Sequence, residues 1–305
     1  MKILITDPVD KSLINVLMGA GFKVIYEPEI THDELKQRIK DIDAIIVRSR
    51  TKVRKDIIDA ALKLRVIARV GVGLDNIDVE YAEKRGISVV NAGGATAQSV
   101  AELTIGLLIG LIRKIYYGYS QLQKGRWVKK EIMGYELAGK TLGIIGVGNI
   151  GYRVGWIAYH GFSMRVLGYR RNIVKIDPPI IPVGLDKLLR ESDVISIHIP
   201  LNKETYGYID EGKIKKMKEG VLIINTSRME VLDLDAVIQA LKSGKIGGLA
   251  ADTNLKPEHP KISELLSLPN VFLTPHIGAQ TVEAQRRAAL YVANLVIDLL
   301  LRSKR

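Results

Sequence analysis

Short, continuous apolar runs alternate with amphipathic stretches along the whole 305-residue chain. The runs predict strands over residues 2–7, 23–27, 44–49, 66–71 and 87–91. Six more follow over 141–146, 164–170, 194–200, 221–227, 247–252 and 271–275. A strand with one wet face alternates apolar and polar residues. A run that is apolar throughout belongs to a parallel strand covered on both faces. The segments between, such as 55–61, 149–160, 233–243 and 279–301, have the pattern of covering helices. Strand and helix in strict alternation predict an α/β fold of doubly wound parallel sheets. At about 150 residues per domain, the length predicts two units. A long apolar segment, 96–123, separates the first five runs from the next six. The last helical segment is expected to return to the first unit and make it discontinuous.

Composition removes several alternatives. There is no cysteine, so disulfides, thiolate metal sites and a cysteine nucleophile are excluded. No metal site is expected. The longest apolar stretch, 103–112, is far short of the roughly 20 residues that span a bilayer. The apolar run before Asp7-Pro8 is too short for a signal peptide. A cytoplasmic protein without a membrane partner is therefore expected. The net charge of +12 raises the question of a polyanion partner. The basic residues are spread along the chain, and the short clusters at 129–130 and 213–218 do not interleave with aromatics. No nucleic-acid partner is expected. Many charges and no cysteine also fit a thermophile composition.

Residues 141–151 read TLGIIGVGNIG. Gly146, Gly148 and Gly151 have the G-x-G-x-x-G spacing, after a predicted strand and opening a predicted helix. The three glycines serve a tight turn, close approach of the backbone to a pyrophosphate, and close helix–strand packing. A dinucleotide is the implied ligand. An Asp or Glu about 20 residues further on would bind the ribose 2′-hydroxyl of NAD. Here that place holds Tyr169, Arg170 and Arg171, and no carboxylate follows until Asp177. Two guanidinium groups suit a 2′-phosphate, so NAD or NADP is expected with a lean toward NADP. The alternative is that both arginines are plain surface residues.

Ligands of doubly wound sheets bind beyond the carboxyl ends of the strands. The side chains just after the predicted strands include Arg48, His198, Arg228, Asp252 and His276, with the glycine turn 71–73. Of the five histidines, His276 is the best proton donor, because it stands at a strand end and imidazole titrates near neutral pH. Arg228 can fork to a carboxylate and polarise a carbonyl. Their plainer readings are a helix-entry histidine and a surface ion pair.

The segments VRSRTKV (47–53), RVGVGLDNID (69–78), SVAELTIGLL (99–108), GKTLGIIGVGNIG (139–151), INTSR (224–228) and TPHIGAQT (274–281) together resemble the D-2-hydroxyacid dehydrogenase family, nearest its phosphoglycerate dehydrogenase branch. The resemblance covers essentially the whole chain. It implies a Rossmann nucleotide domain, 97–276, inserted in a flavodoxin-like substrate domain, 1–96 plus 277–305. No C-terminal regulatory domain is expected. It further implies Arg228 as the substrate-binding arginine, His276 as acid and base, and Asp252 as the holder of the nicotinamide carboxamide. His198, Ile199, Pro200, Thr226 and Ser227 join the cofactor contacts, with Asn149, Ile150, Thr205 and Gly278. Val72 and Gly73 would offer backbone amides to the substrate carboxylate, and Arg48 would meet a substrate phosphate.

Three departures stand out. Asn149 replaces the family's arginine in the glycine motif, and Met229 replaces the glycine after the catalytic arginine, which is expected to strain or reshape that turn. The position of the family's catalytic glutamate, five residues after Asp252, holds Pro257. Glu258 is the substitute, ahead of Glu264. The implied activity is reversible NAD(P)-dependent oxidation of a D-2-hydroxy acid, with 3-phosphoglycerate and 3-phosphohydroxypyruvate as the leading pair. Glyoxylate or hydroxypyruvate reduction is the alternative. A dinucleotide-sensing regulator of co-repressor type is the alternative of another class. A homodimer is expected, with the apolar stretch 104–119 as its surface.

Overall fold

The computed structural model of the chain describes residues 1–171 and 176–302. It divides into two compact units. One holds residues 1–96 and 279–305, and the other holds 97–278.

Among its described residues the first unit has five parallel strands: β1 (Lys2–Ile5), β2 (Lys23–Tyr26), β3 (Ala44–Val47), β4 (Val66–Arg69) and β5 (Ser88–Asn91). Their order in the sheet is β2-β1-β3-β4-β5. The central strand β3, AIIV, is buried at every residue, whereas the edge strand β2, KVIY, is exposed at both ends. Helices α1 (Lys11–Gly19), α2 (His32–Arg38), α3 (Lys55–Ala60) and α4 (Val79–Lys84) connect the strands. A capping box between Thr31 and Glu34 starts α2. The C-terminal helix, α12 (Val282–Arg302), belongs to this unit. Its Ala288, Ala289, Val292, Ala293 and Val296 are buried in one cluster with Ile3, Leu13 and Ala68. Alanines at this spacing keep one face of the helix flat, so it seats closely against α1 and the sheet.

The second unit begins with α5 (Ala97–Ile112) and α6 (Ile115–Gln123). The long apolar segment 96–123 folds as two helices, broken at Lys114, which is left-handed with φ 53°. The break directs Tyr116 onto Phe272, with stacked rings 4.8 Å apart, and its hydroxyl donates to the Pro269 carbonyl. Among the described residues seven parallel strands follow: β6 (Thr141–Ile145), β7 (Arg165–Tyr169), β8 (Ile181–Pro182), β9 (Val194–Ile197), β10 (Val221–Asn225), β11 (Ile246–Asp252) and β12 (Val271–Thr274). The order is β12-β11-β10-β9-β6-β7-β8. The two-residue β8 escaped the sequence reading, since a strand that short, ending in proline at a sheet edge, has no periodicity to read. Helices α7 (Asn149–Phe162), α8 (Leu185–Glu191), α9 (Glu211–Lys216), α10 (Leu234–Ser243) and α11 (Pro260–Leu266) complete the unit. Gly143 in β6 allows α8 to approach, because a Cβ there would lie 2.6 Å from Leu188 Cδ2. Chain order reverses at β6, which has β7 on one side and β9 on the other. A crevice opens at such a switch point.

Candidate functional site

The crevice beside β6 is built from three strand ends. The Gly146 amide donates to the Tyr169 carbonyl at 2.9 Å, tying the fingerprint to the end of β7. Gly146 has φ +98°, and a Cβ there would lie 2.7 Å from the His198 carbonyl oxygen at the end of β9. At Gly151 a Cβ would lie 2.4 Å from the Gly146 carbonyl oxygen. Only glycine fits either place. Gly148 is different: nothing lies within 4 Å of its Cβ position, and it caps α7 without a side-chain hydrogen bond. The first-turn amides of α7 are therefore left for an anion. A cavity of about 460 Å³ spreads from this turn. Gly146, Gly148, Tyr169, Arg170, Arg171, His198, Ile199, Pro200 and Thr205 line it, as do Val147, Glu204 and Tyr208. An open glycine turn, a helix start and a cavity walled by apolar and aromatic groups fit a dinucleotide.

Other predicted cofactor residues do not line this cavity. Ile150 packs against the core, and exposed Asn149 offers its carbonyl to Arg153. Gly151 acts through packing, as above. Thr226 is turned inward, sharing a 2.9 Å hydrogen bond with Thr104. Ser227 donates to Asn225 Oδ1 at 2.7 Å. His198 packs its ring inward, with Nε2 2.8 Å from Ser196 Oγ. Burial pushes its pKa down to about 3, so the ring is neutral at physiological pH and is no proton donor. Arg170 and Arg171 lie exposed on the rim, and Arg171 forms a forked ion pair with Glu204. Glu204 had no local sequence signal. Only the adjacency of β9 and β6 brings its loop to the fingerprint.

A second group stands beyond β10, β11 and β12 in the same unit. Arg228 follows β10, and His276 follows β12. One strand lies between them, which sets their backbones about 10 Å apart. Asn225 shapes the first turn, accepting from the Ser227 amide at 3.0 Å and donating to the Arg228 carbonyl at 2.9 Å. Of the two outcomes expected at Met229, strain or a reshaped turn, left-handed strain is absent. Met229 is buried in the core with no left-handed backbone, within a 3-10 turn over Met229–Val231. Asn254 holds that turn, accepting from the Met229 amide at 3.0 Å and donating to both Glu230 oxygens at 3.1 and 3.0 Å.

His276 has φ 54°, a left-handed conformation rare for a side-chain-bearing residue and costing roughly 1–2 kcal/mol. The buried Asp252 carboxylate holds the turn in place. It accepts from Thr274 Oγ1 at 2.6 Å, from the Ile277 amide at 2.9 Å and from the Gly278 amide at 2.8 Å. Asp252 was expected to hold a nicotinamide carboxamide. In the structure its observed partners are the two sides of the His276 turn. Ser99 donates to the Gly278 carbonyl, which keeps Gly278 in the second unit. Glu258 stands exposed in the loop after β11, next to His259, the cap of α11, with no hydrogen bond or ion pair among the described residues. Glu264 pairs with Lys242 at 2.8 Å.

In the first unit, a buried aspartate again organises a strand-end loop. Asp7 accepts from the Arg48 amide at 2.5 Å, from Arg50 Nε at 3.1 Å and from Thr51 Oγ1 at 2.9 Å. Arg48 also bonds the Pro8 carbonyl. Val72 is exposed in the turn after β4, with Gly73 beside it.

A family model for the D-isomer specific 2-hydroxyacid dehydrogenase NAD binding domain matches residues 105–278. A hydroxypyruvate reductase of Thermotoga maritima is 43% identical over 291 residues, covering 95% of each chain. A D-3-phosphoglycerate dehydrogenase of Methanocaldococcus jannaschii is 43% identical over 304 residues, 98% of this chain and 57% of that protein. This chain thus spans little more than half the length of that relative. The NAD⁺-bound 3-phosphoglycerate dehydrogenase of Entamoeba histolytica superposes with a TM-score of 0.82 at 33% identity, covering 99% of this chain and 96% of the other. Fingerprint, strand order and these likenesses agree: the chain belongs to the D-isomer specific 2-hydroxyacid dehydrogenase family of NAD(P)-dependent oxidoreductases.

Proposed function

We propose that the chain interconverts a D-2-hydroxy acid and its 2-keto acid, with 3-phosphoglycerate and 3-phosphohydroxypyruvate as the leading pair. The observation that carries the proposal is the placing of Arg228 and His276 beyond β10 and β12 of one sheet, each on a turn held by buried polar groups. A bound nicotinamide supplies or accepts the hydride at substrate C2. Arg228 binds the carboxylate and polarises the C2 oxygen. His276 gives that oxygen its proton on reduction and takes it back on oxidation. Glu258 is the carboxylate offered to His276 to favour the imidazolium. Arg48 is assigned a substrate phosphate, with the Val72 and Gly73 amides toward the carboxylate.

The cofactor is assigned as NADP before NAD, on Arg170 and Arg171 at the end of β7. The nearly full-length likeness to a hydroxypyruvate reductase supports hydroxypyruvate or glyoxylate as the second reading. Steady-state oxidation of NADH and NADPH with 3-phosphohydroxypyruvate, hydroxypyruvate and glyoxylate tests all three assignments. The highest kcat/KM is expected for 3-phosphohydroxypyruvate with NADPH. No turnover with any substrate overturns the enzyme reading in favour of a dinucleotide-sensing regulator.

A homodimer is proposed through the second unit. The 104–112 half of the expected surface is mostly core, but Ile115, Tyr119, Leu122, Trp127, Met133 and Tyr135 are exposed. Trp127 is 79% exposed. So many large apolar groups on water-facing positions fit a second copy. A sedimentation mass of one chain removes this proposal. No helix among the described residues is long and apolar enough to cross a membrane. A cytoplasmic location is proposed on the family likeness.

A further inference from the structure

The pocket at the end of β7 carries a charge pattern that the arginines alone do not explain. Arg171 and Glu204 both line it, from different strand ends. Arg171 Nη1 donates to Glu204 Oε2, and Nη2 donates to Oε1 at 3.3 Å. The fork that would grip a phosphate is thus engaged by a carboxylate. Both side chains are well exposed, at 74% and 62%, so solvent screens the pair and a stronger anion can displace it. A 2′-phosphate is such an anion, with nearly two negative charges and three acceptor oxygens. Its approach would set it beside the displaced carboxylate, and like charges oppose each other. Arg170 is next to Arg171 on the rim, and the Glu204 side chain bonds to Arg171.

We infer that Glu204 is a specificity-determining residue: its carboxylate competes with the cofactor 2′-phosphate for Arg171. The inference rests on the assignment of this pocket to the adenosine end of the dinucleotide. It limits how strongly the two arginines favour NADP. It also predicts that a loop beyond β9, outside the glycine fingerprint, tunes the choice between the two cofactors.

Calorimetric titration tests this without turnover. Adenosine 2′,5′-bisphosphate and adenosine 5′-monophosphate are titrated into the full chain and into Glu204→Gln, Arg171→Gln and the double variant. Glu204→Gln is expected to bind the bisphosphate about 10-fold tighter, with the monophosphate unchanged within about twofold. The gain should vanish when Glu204→Gln is made in the Arg171→Gln background. Unchanged bisphosphate affinity in Glu204→Gln overturns the inference. So does equal tightening of both ligands, which marks a general charge effect. A gain that persists without Arg171 also overturns it. A wild-type chain that binds the monophosphate better removes the NADP assignment alone, since the Glu204→Gln shift is read relative to wild type.

Discussion

Two regions of one seven-stranded sheet are organised differently. Around β6 the glycine turn is compact: Gly146, Gly148 and Gly151 lie within six residues, and at Gly146 and Gly151 no side chain fits. Beyond β10, β11 and β12 most of the support is long-range, the Asn225 turn being local. Asn225 serves Arg228, Asn254 serves Met229 and Glu230, and Asp252 serves a turn more than twenty residues away. A backbone that must receive a ligand is shaped by small residues next to one another. Side chains that must be held at fixed positions are shaped by buried polar groups from neighbouring strands, where the low dielectric makes each hydrogen bond count.

The sharpest test of this contrast is His276→Asn. Asparagine tolerates the left-handed backbone, so stability should change by less than about 1 kcal/mol while kcat falls by about 10²–10⁴-fold. A loss of stability comparable to the loss of activity would break the idea that the turn is held independently of its side chain. In the same assay, a pH–rate profile unchanged by Glu258→Gln would separate that carboxylate from His276.

Asp252→Ala is expected to act on both properties. It strips acceptors from two backbone amides and one hydroxyl, costing about 3 kcal/mol in denaturant unfolding, with a fall in kcat alongside. A variant as stable as the wild type would show that the His276 turn needs no aspartate. It would return Asp252 to a direct role with the cofactor.

The narrowest expected effect, confined to acid pH, lies at His198, at the end of β9 between the two regions. Its folded-state pKa is about 3, below the ordinary value of 6.5. Between these values the unfolded chain binds a proton that the folded chain refuses, so stability falls as pH drops below 6.5. The slope approaches about 1.4 kcal/mol per pH unit, and above 6.5 the residue contributes no pH dependence. His198→Asn should flatten the acid side of the unfolding curve relative to wild type. Parallel curves would show that the ring titrates normally.

Much of the fold was legible because continuous apolar runs report strands covered on both faces, as in β3, β6 and β9. Edge strands β5 and β8 are weaker in this respect, being partly or fully exposed. The break at Lys114 was hidden for another reason. Nothing in the 96–123 pattern stops a helix, and the stacking of Tyr116 on Phe272 comes from a strand at the far end of the unit.

By itself the sequence determined the alternation of strands and helices, the glycine turn and the strand-end positions of Arg228 and His276. These depend on local periodicity, on the absence of a Cβ, and on where an apolar run stops. Tertiary structure alone decided that Asp252 holds the His276 turn, that Met229 is core rather than strain, and that Glu204 meets Arg171. The two pairs each join residues from different strand ends, and the Met229 turn is held by Asn254 from the next strand end, so the partners are chosen by sheet order. Sheet order is a property of the packed layers, and no single segment encodes it.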